Sequence, residues 1–321
     1  MRSDICNLYG VAFYVIGMKD LTIIPLVILV LSGCSSEYNQ CVEVASKEFF
    51  ITDEVAEMRK NGPLKALQKL ILESGFNESE LKEIDNKIKI KRVSNSVSFI
   101  DADNSIGFVA ADTGIKETIK IAKKTGIAFV GIKNSGHYGL SGYYIEQAVK
   151  KNLLAFAFTN APPAIAPHGG KKTIFGTNPI CFGSPTNNNI PFILDTSMSM
   201  INRGKIRVAA KLNKSIPKGV ALDKFGKQTT NAKDALSGVQ LPIAGFRGSG
   251  LAWMVDILAG VFVGSAHSGK VKDPFDDFRG PQNIGHLFIA FKNNLFVKNF
   301  KQQIKVCLLY TSDAADEEDS V

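Results

Sequence analysis

From Val97 onward the chain changes texture: short apolar runs of strand length, punctuated by glycine, alternate with segments of helical period, which is the pattern of an α/β domain. The runs predict strands at Val97–Asp101, Ile127–Lys133, Leu154–Thr159, Pro179–Phe182, Pro191–Leu194 and Ile284–Phe291. Helices are expected at Ala111–Thr125, Gly139–Lys151 and Gly250–Gly264. A doubly wound dinucleotide fold would carry G-x-G-x-x-G after its first strand. That signature is missing, and the nearest approach, Gly245-Phe246-Arg247-Gly248-Ser249-Gly250, has its glycines at the wrong offsets. The fold class is therefore α/β, a mixed sheet with helices that is not a Rossmann fold.

The segments flanking this block read differently. Leu21–Leu31 is an apolar run that ends in Leu31-Ser32-Gly33-Cys34. It is too short for a membrane-spanning helix, which needs roughly 20 apolar residues. Its length and flanks fit the core of a signal peptide, and the LSGC ending resembles a bacterial lipobox with Cys34 as the lipidated residue and Met18 as the start. A buried strand is the other reading of the same run. Residues 37–96 form a polar segment of helical period with Leu64, Leu67, Leu70 and Ile71 on one face, possessing no catalytic constellation and read as foreign to the α/β block. Residues 307–321 form an acidic tail that resembles a translated sequencing adapter. The expected organisation is thus a signal-like segment (1–36), the polar segment (37–96), the α/β domain (97–306), expected to be incomplete, and the tail.

The net charge of +8 arises despite five acids in residues 311–321, so the rest of the chain is more basic still. Such an excess favours an anionic partner, and a phosphate-bearing cofactor with a carboxylate substrate suits it better than nucleic acid, because the bases are scattered and no nucleic-acid motif is present. The five cysteines contain no CxxC pair and no His/Cys spacing for zinc, so no metal site is expected.

A run of motifs in fixed order then narrows the reading: Asn134-Ser135-Gly136-His137-Tyr138-Gly139, Thr159-Asn160-Ala161-Pro162-Pro163, Gly176-Thr177-Asn178-Pro179-Ile180, Leu194-Asp195-Thr196-Ser197, Gly204-Lys205-Ile206, Ile216-Pro217, Ala221-Leu222-Asp223 and Gly285-His286. Together these resemble the malate/L-lactate dehydrogenase family, which includes ureidoglycolate and sulfolactate oxidoreductases. The resemblance implies NAD or NADP as cofactor, a small 2-hydroxyacid or 2-oxoacid as substrate, hydride transfer as the reaction, a homodimer, and a cytoplasmic location. A membrane-anchored lipoprotein is the alternative location, reached only through Cys34; a catalytically inactive relative is the alternative function.

Oxidising an alcohol carbon requires a base for the hydroxyl proton, donors for the carboxylate, and a pocket that sets the nicotinamide against the reacting carbon. His137 is the expected catalytic residue, since imidazole titrates near neutrality and its glycine neighbours permit close approach; a loop histidine satisfying backbone groups is the plainer alternative. The resemblance assigns cofactor contacts to Asn160 and Ala161, where a serine hydroxyl of the family is replaced by alanine, and to Asp195, Thr196 and Ser197. Asp195 is read either as orienting an imidazole or binding a ribose hydroxyl, or as a helix cap. Arg247 replaces a family lysine at a cofactor-phosphate position, keeping the charge with a different geometry. Asn178 is the candidate substrate contact, with an Asn-Pro turn as the structural alternative. Arg203, Lys205 and Arg207 are either a 2′-phosphate cluster or a solvated face. His168, His286 and Cys181 are assigned to turn or core. The family's N-terminal Ser-His-Gly signature has no counterpart here, since all four histidines lie at or after His137.

Overall fold

The computed structural model describes residues 88–187, 190–273 and 281–316, together with two strand fragments, β1 (Val15–Ile16) and β2 (Ile23–Ile24), which pair antiparallel. Cys34, the end of the lipobox-like run and the 64–71 helical face lie outside the described residues. A seven-stranded sheet carries the rest. Its strands are β3 (Lys89–Arg92), β4 (Val97–Asp101), β5 (Ile127–Ser135), β6 (Leu153–Thr159), β7 (Ile180–Ser184), β8 (Phe192–Thr196) and β11 (Ile284–Lys292), in the spatial order β3-β4-β5-β11-β6-β7-β8. Only the β4–β5 pair is parallel; the other pairs are antiparallel. The strands match the apolar runs of the sequence closely. Lys89–Arg92 is a strand inside the segment read as helical, because the turn at Ser94–Ser96 folds it back onto β4, with Val93 and Ser94 N–H groups donating to the Val97 carbonyl.

Residue alternation places a layer on each face of the sheet. On one face Val130, Ile132, Ala155, Ala157, Phe288 and Ala290 meet α1 (Gly107–Thr125) and α2 (Ser141–Val149). Alanines on the strands and Gly114 on α1 allow the helix to approach closely, and any Cβ at Gly114 would collide with Ile132. On the opposite face Phe158, Leu287 and Ile289 pack against Val255, Leu258 and Ala259, which belong to α5 (Phe246–Asp256) and the π-helical segment Ile257–Val261 that continues it. The chain between β8 and α5 forms a smaller unit. There α3 (Arg203–Lys211) and α4 (Ala232–Leu236) enclose Ile206, Ile216, Val220 and Ala221 beside the two-stranded pair β9 (Ala221–Leu222) and β10 (Val239–Gln240). Asparagine side chains start both helices, Asn202 accepting from the Lys205 amide at 2.9 Å and Asn231 from the Lys233 amide at 2.9 Å. A last helix, α6 (Phe300–Asp316), runs across the expected boundary at residue 306.

Candidate active site

Strand direction brings the motifs together. The C-terminal ends of β4, β5, β6 and β8 and the N-terminal ends of β7 and β11 fall at the same edge of the layer. His137 follows β5, Asn160 follows β6, Asn178 precedes β7, Asp195 and Thr196 end β8, and His286 begins β11. Ligand sites of open α/β sheets are found at such strand ends.

His137 is exposed in a turn that two contacts define. Its backbone N–H donates to Gln282 Oε1 at 3.0 Å, and the Gly139 N–H donates to its Nδ1 at 3.2 Å. An Nδ1 that accepts a hydrogen bond carries no proton, so the neutral ring bears its proton on Nε2. Although the residue is exposed, protein atoms crowd its ring, and that desolvation lowers its pKa below the ordinary histidine value, so the ring is neutral at pH 7.

Behind His137 lies a buried polar unit. His286 has no exposed surface; its Nδ1 lies 2.7 Å from Thr159 Oγ1 and its Nε2 2.8 Å from Ser135 Oγ. The Tyr138 ring tilts over it at 4.4 Å and stacks on Tyr144 at 5.1 Å. The Tyr138 hydroxyl shares a 2.8 Å hydrogen bond with Ser141 Oγ, and the Tyr144 hydroxyl donates to the Tyr138 carbonyl at 2.7 Å. Burial pushes the His286 pKa down to about 3, and His137 adds to this once it is protonated at low pH. His286 is therefore a fixed neutral post that holds the ends of β5 and β6 to β11.

The two asparagines are spent inside the protein. Asn160 accepts the Gly285 N–H at 3.0 Å and donates to the Ala266 carbonyl at 2.6 Å. Asn178, fully buried at φ 36°, accepts the Ala161 N–H at 3.2 Å and donates to the Ala252 carbonyl at 2.9 Å, which ties the Ala161-Pro162-Pro163 loop to α5. Asp195 is half-buried at the end of the edge strand and accepts the Gly142 N–H in the first turn of α2 at 2.7 Å. Burial outweighs that hydrogen bond and raises its pKa to about 6. The hydrogen bonds of the Thr196 and Ser197 hydroxyls, at 3.1–3.3 Å, stay within their own turn.

Arg247 is exposed in the first turn of α5, its guanidinium 5.1 Å from the Phe246 ring centroid. The turn is braced from the loop at His168, whose N–H donates to Ser249 Oγ at 2.8 Å. Arg203 and Arg207, two of the three basic residues after β8, lie 3.9 Å and 3.6 Å from Asp273, and Arg203 donates to the Pro163 carbonyl at 3.3 Å. They join α3 to the loop after β6. Cys181 is a buried free thiol whose pKa burial raises. Among the described residues no three His, Cys, Asp or Glu side chains converge to hold a metal ion, and no helix is long and apolar enough to cross a membrane. The sequence gives no sign of a role for Gln282, and Tyr138, Ser135 and Thr159 stand there within the motifs without an assigned role. Gln282 and Asn283 stand just upstream of the Gly285-His286 motif, separated from it by Ile284, and that nearness was the available signal.

A family model described as malate/L-lactate dehydrogenase matches residues 77–321. The malate/(S)-sulfolactate dehydrogenase of Methanothermus fervidus is 39% identical over 196 residues, covering 60% of this chain and 56% of that protein. The (2R)-3-sulfolactate dehydrogenase (NADP(+)) of Chromohalobacter salexigens is 35% identical over 192 residues, covering 60% and 58%. The solved structure of a sulfolactate dehydrogenase from Methanocaldococcus jannaschii superposes with a TM-score of 0.63 at 37% identity, covering 69% of this chain and 64% of that one. The chain spans a little over half the length of the curated relatives it matches.

Proposed function

The chain belongs to the malate/L-lactate dehydrogenase family, and on that premise we propose that it transfers a hydride reversibly between NAD(P) and a small 2-hydroxyacid or 2-oxoacid, with His137 handling the proton. The observation that carries this reading is the state of His137: a neutral imidazole at the ligand end of the sheet, whose unprotonated nitrogen takes the substrate hydroxyl proton in oxidation and whose imidazolium returns it in reduction. Reduction of a 2-oxoacid takes a hydride at C2 and a proton at the carbonyl oxygen; oxidation returns both. The exposed position of His137 connects that proton to solvent.

The nicotinamide cofactor supplies the hydride acceptor and donor. The donor set at α5 fits it: the N-terminus of an eleven-residue helix carries a partial positive charge and Arg247 adds a full one, which together suit a phosphate. Ala161 offers only its backbone, and its N–H is already taken by Asn178. The Thr196 and Ser197 hydroxyls are the remaining polar side chains for the cofactor near Asp195, while the Asn160 and Asn178 amides act by fixing the loops around it.

The protein works as a homodimer in the cytoplasm. Support for dimerisation comes from α5 and its π-helical extension, where Phe246, Trp253, Ile257, Val261 and Phe262 are all more than half exposed along one element.

The test is oxidation of NADH and NADPH by the purified protein with pyruvate, oxaloacetate and other 2-oxoacids, alongside His137→Ala. Turnover that the substitution reduces by about 100-fold or more is expected. A folded protein that neither turns over nor binds either nucleotide overturns the reading.

A further inference from the structure

We propose that the turn at residues 223–227 docks the protein on an anionic lipid surface, with Phe225 entering the headgroup layer and the lysines around it meeting lipid phosphate. The proposal concerns where the protein sits and is independent of the hydride chemistry above.

The turn is built to present one ring. Asp223 Oδ1 accepts the Phe225 and Lys227 N–H groups, each at 2.9 Å, and the Gly226 N–H donates to the Asp223 carbonyl at 3.0 Å. Leu222 and Gln228 pair antiparallel across its base. Gly226 lies at φ 80°, a conformation that glycine adopts without strain, and the methylene stem of Lys171 lies where a Cβ would stand. The loop after β6 therefore braces the turn from one side. Phe225 is left 69% exposed, with Lys224 Nζ 5.0 Å from its ring centroid.

The charge around this ring has one sign. Residues 163–175 and 214–233, which meet at the Lys171–Gly226 contact, hold seven lysines and a single acid, Asp223, whose carboxylate is turned to backbone N–H groups. All seven lysines are exposed, and none forms an ion pair with a described residue. An apolar ring flanked by ammonium groups matches the boundary between acyl chains and headgroups, where the ring is buried and the lysines reach phosphate. Anionic lipid of the cytoplasmic leaflet attracts basic segments within about a Debye length. A nucleic acid fits less well. Single-strand binders track the backbone in a groove and stack successive bases on several rings, whereas this turn offers one.

The experiment is co-sedimentation of the full-length protein with vesicles of equal parts phosphatidylglycerol and phosphatidylcholine, and with phosphatidylcholine alone. Wild type is expected to bind the anionic vesicles about tenfold more tightly or better, and to lose that preference at high salt. The paired substitution Lys224→Gln with Lys227→Gln should weaken binding about tenfold, and Phe225→Ser should weaken it as well. Lys123→Gln with Lys124→Gln makes the same charge change in the last turn of α1 and should leave binding near wild type. Phe225→Trp should show a blue-shifted emission with anionic vesicles that wild type, whose only tryptophan is Trp253, lacks. Circular dichroism checks folding in each variant, and turnover without vesicles should be unchanged. Wild type that ignores anionic vesicles overturns the proposal, and so does a folded Lys224/Lys227 variant that binds as wild type does. Equal losses in the two lysine pairs overturn it in favour of diffuse charge, and an unshifted Phe225→Trp emission overturns it by removing the insertion. Tighter binding to single-stranded DNA, weakened by the same turn variants, would overturn it in favour of nucleic acid.

Discussion

The imidazole of His286 lies 4.4 Å from the ring of Tyr138, and its two nitrogens are held by Thr159 and Ser135, so that a fully buried histidine joins three strands without carrying charge. Its folded pKa near 3 lies below the ordinary value of 6.5, so the unfolded chain takes up a proton that the folded one refuses. Its contribution to stability is complete above pH 6.5 and is lost as pH falls from 6.5 towards 3, with a slope of up to about 1.4 kcal/mol per pH unit. His137 acts in the same direction. Urea unfolding followed from pH 7 to pH 4 should show His286→Gln to have a flatter profile than wild type; parallel profiles would contradict the assignment.

Asp195 has the opposite sign. Its folded pKa of about 6 stands above the ordinary value of 3.8, so the folded state binds the proton more tightly, and the stability it contributes is present below pH 3.8 and lost as pH rises through 6. At neutral pH the half-buried carboxylate is charged, with the Gly142 N–H donating to it. Asp195→Asn keeps an acceptor for that N–H and removes the charge. It should raise stability at pH 8 by on the order of 1 kcal/mol, with no gain at pH 4. Denaturant titration at the two pH values checks this; the same substitution should also expose the full acid slope due to His286.

Asn160 and Ser197 separate support from contact. Asn160 is 1% exposed and bridges β11 and the segment after α5 through two hydrogen bonds, whereas the Ser197 hydroxyl bonds within its own turn. Asn160→Ala leaves the buried Gly285 N–H and the Ala266 carbonyl without these partners and should destabilise the fold by about 2–4 kcal/mol. Ser197→Ala should leave the melting temperature nearly unchanged while raising KM for NAD(P)H. Thermal melts with cofactor titrations distinguish the two, and a large melting shift in Ser197→Ala would mean the roles are reversed.

The six strands and three helices expected after residue 97 were legible because each surrounds an apolar run of the right period, and α2 and β11 differ from their expected spans by only a residue or two, whereas α3, α4, β9, β10 and α6 were not expected. The gathering of His137, Asn160, Asn178, Asp195 and His286 at one end of the layer follows from strand direction, which no local pattern encodes. Asn178 illustrates the limit. An asparagine before proline is equally a ligand contact and a turn, and only the positions of the Ala161 N–H and the Ala252 carbonyl show its amide used at both ends. The π-helical turn was also hidden, since its apolar residues continue the pattern of α5 unbroken; Ala259 and Gly260 provide the close approach, and a Cβ on Gly285 would strike the Ala259 carbonyl.

His137 sets the pH dependence of the proposed reaction. Oxidation of a 2-hydroxyacid requires a ring able to accept the hydroxyl proton, and desolvation holds its pKa below 6.5. The acid limb of kcat/KM for oxidation should therefore lie below pH 6.5, with a plateau through neutrality. Gln282→Ala frees the His137 backbone N–H and opens the turn to water, which relieves that desolvation. The limb should then move up towards 6.5, with a fall in kcat larger than any change in KM for the nucleotide. A rate profile measured from pH 5 to pH 9 in both proteins decides the matter. Coincident limbs in the two would mean that the turn does not control the imidazole, and a limb that survives His137→Ala would transfer the proton to another group.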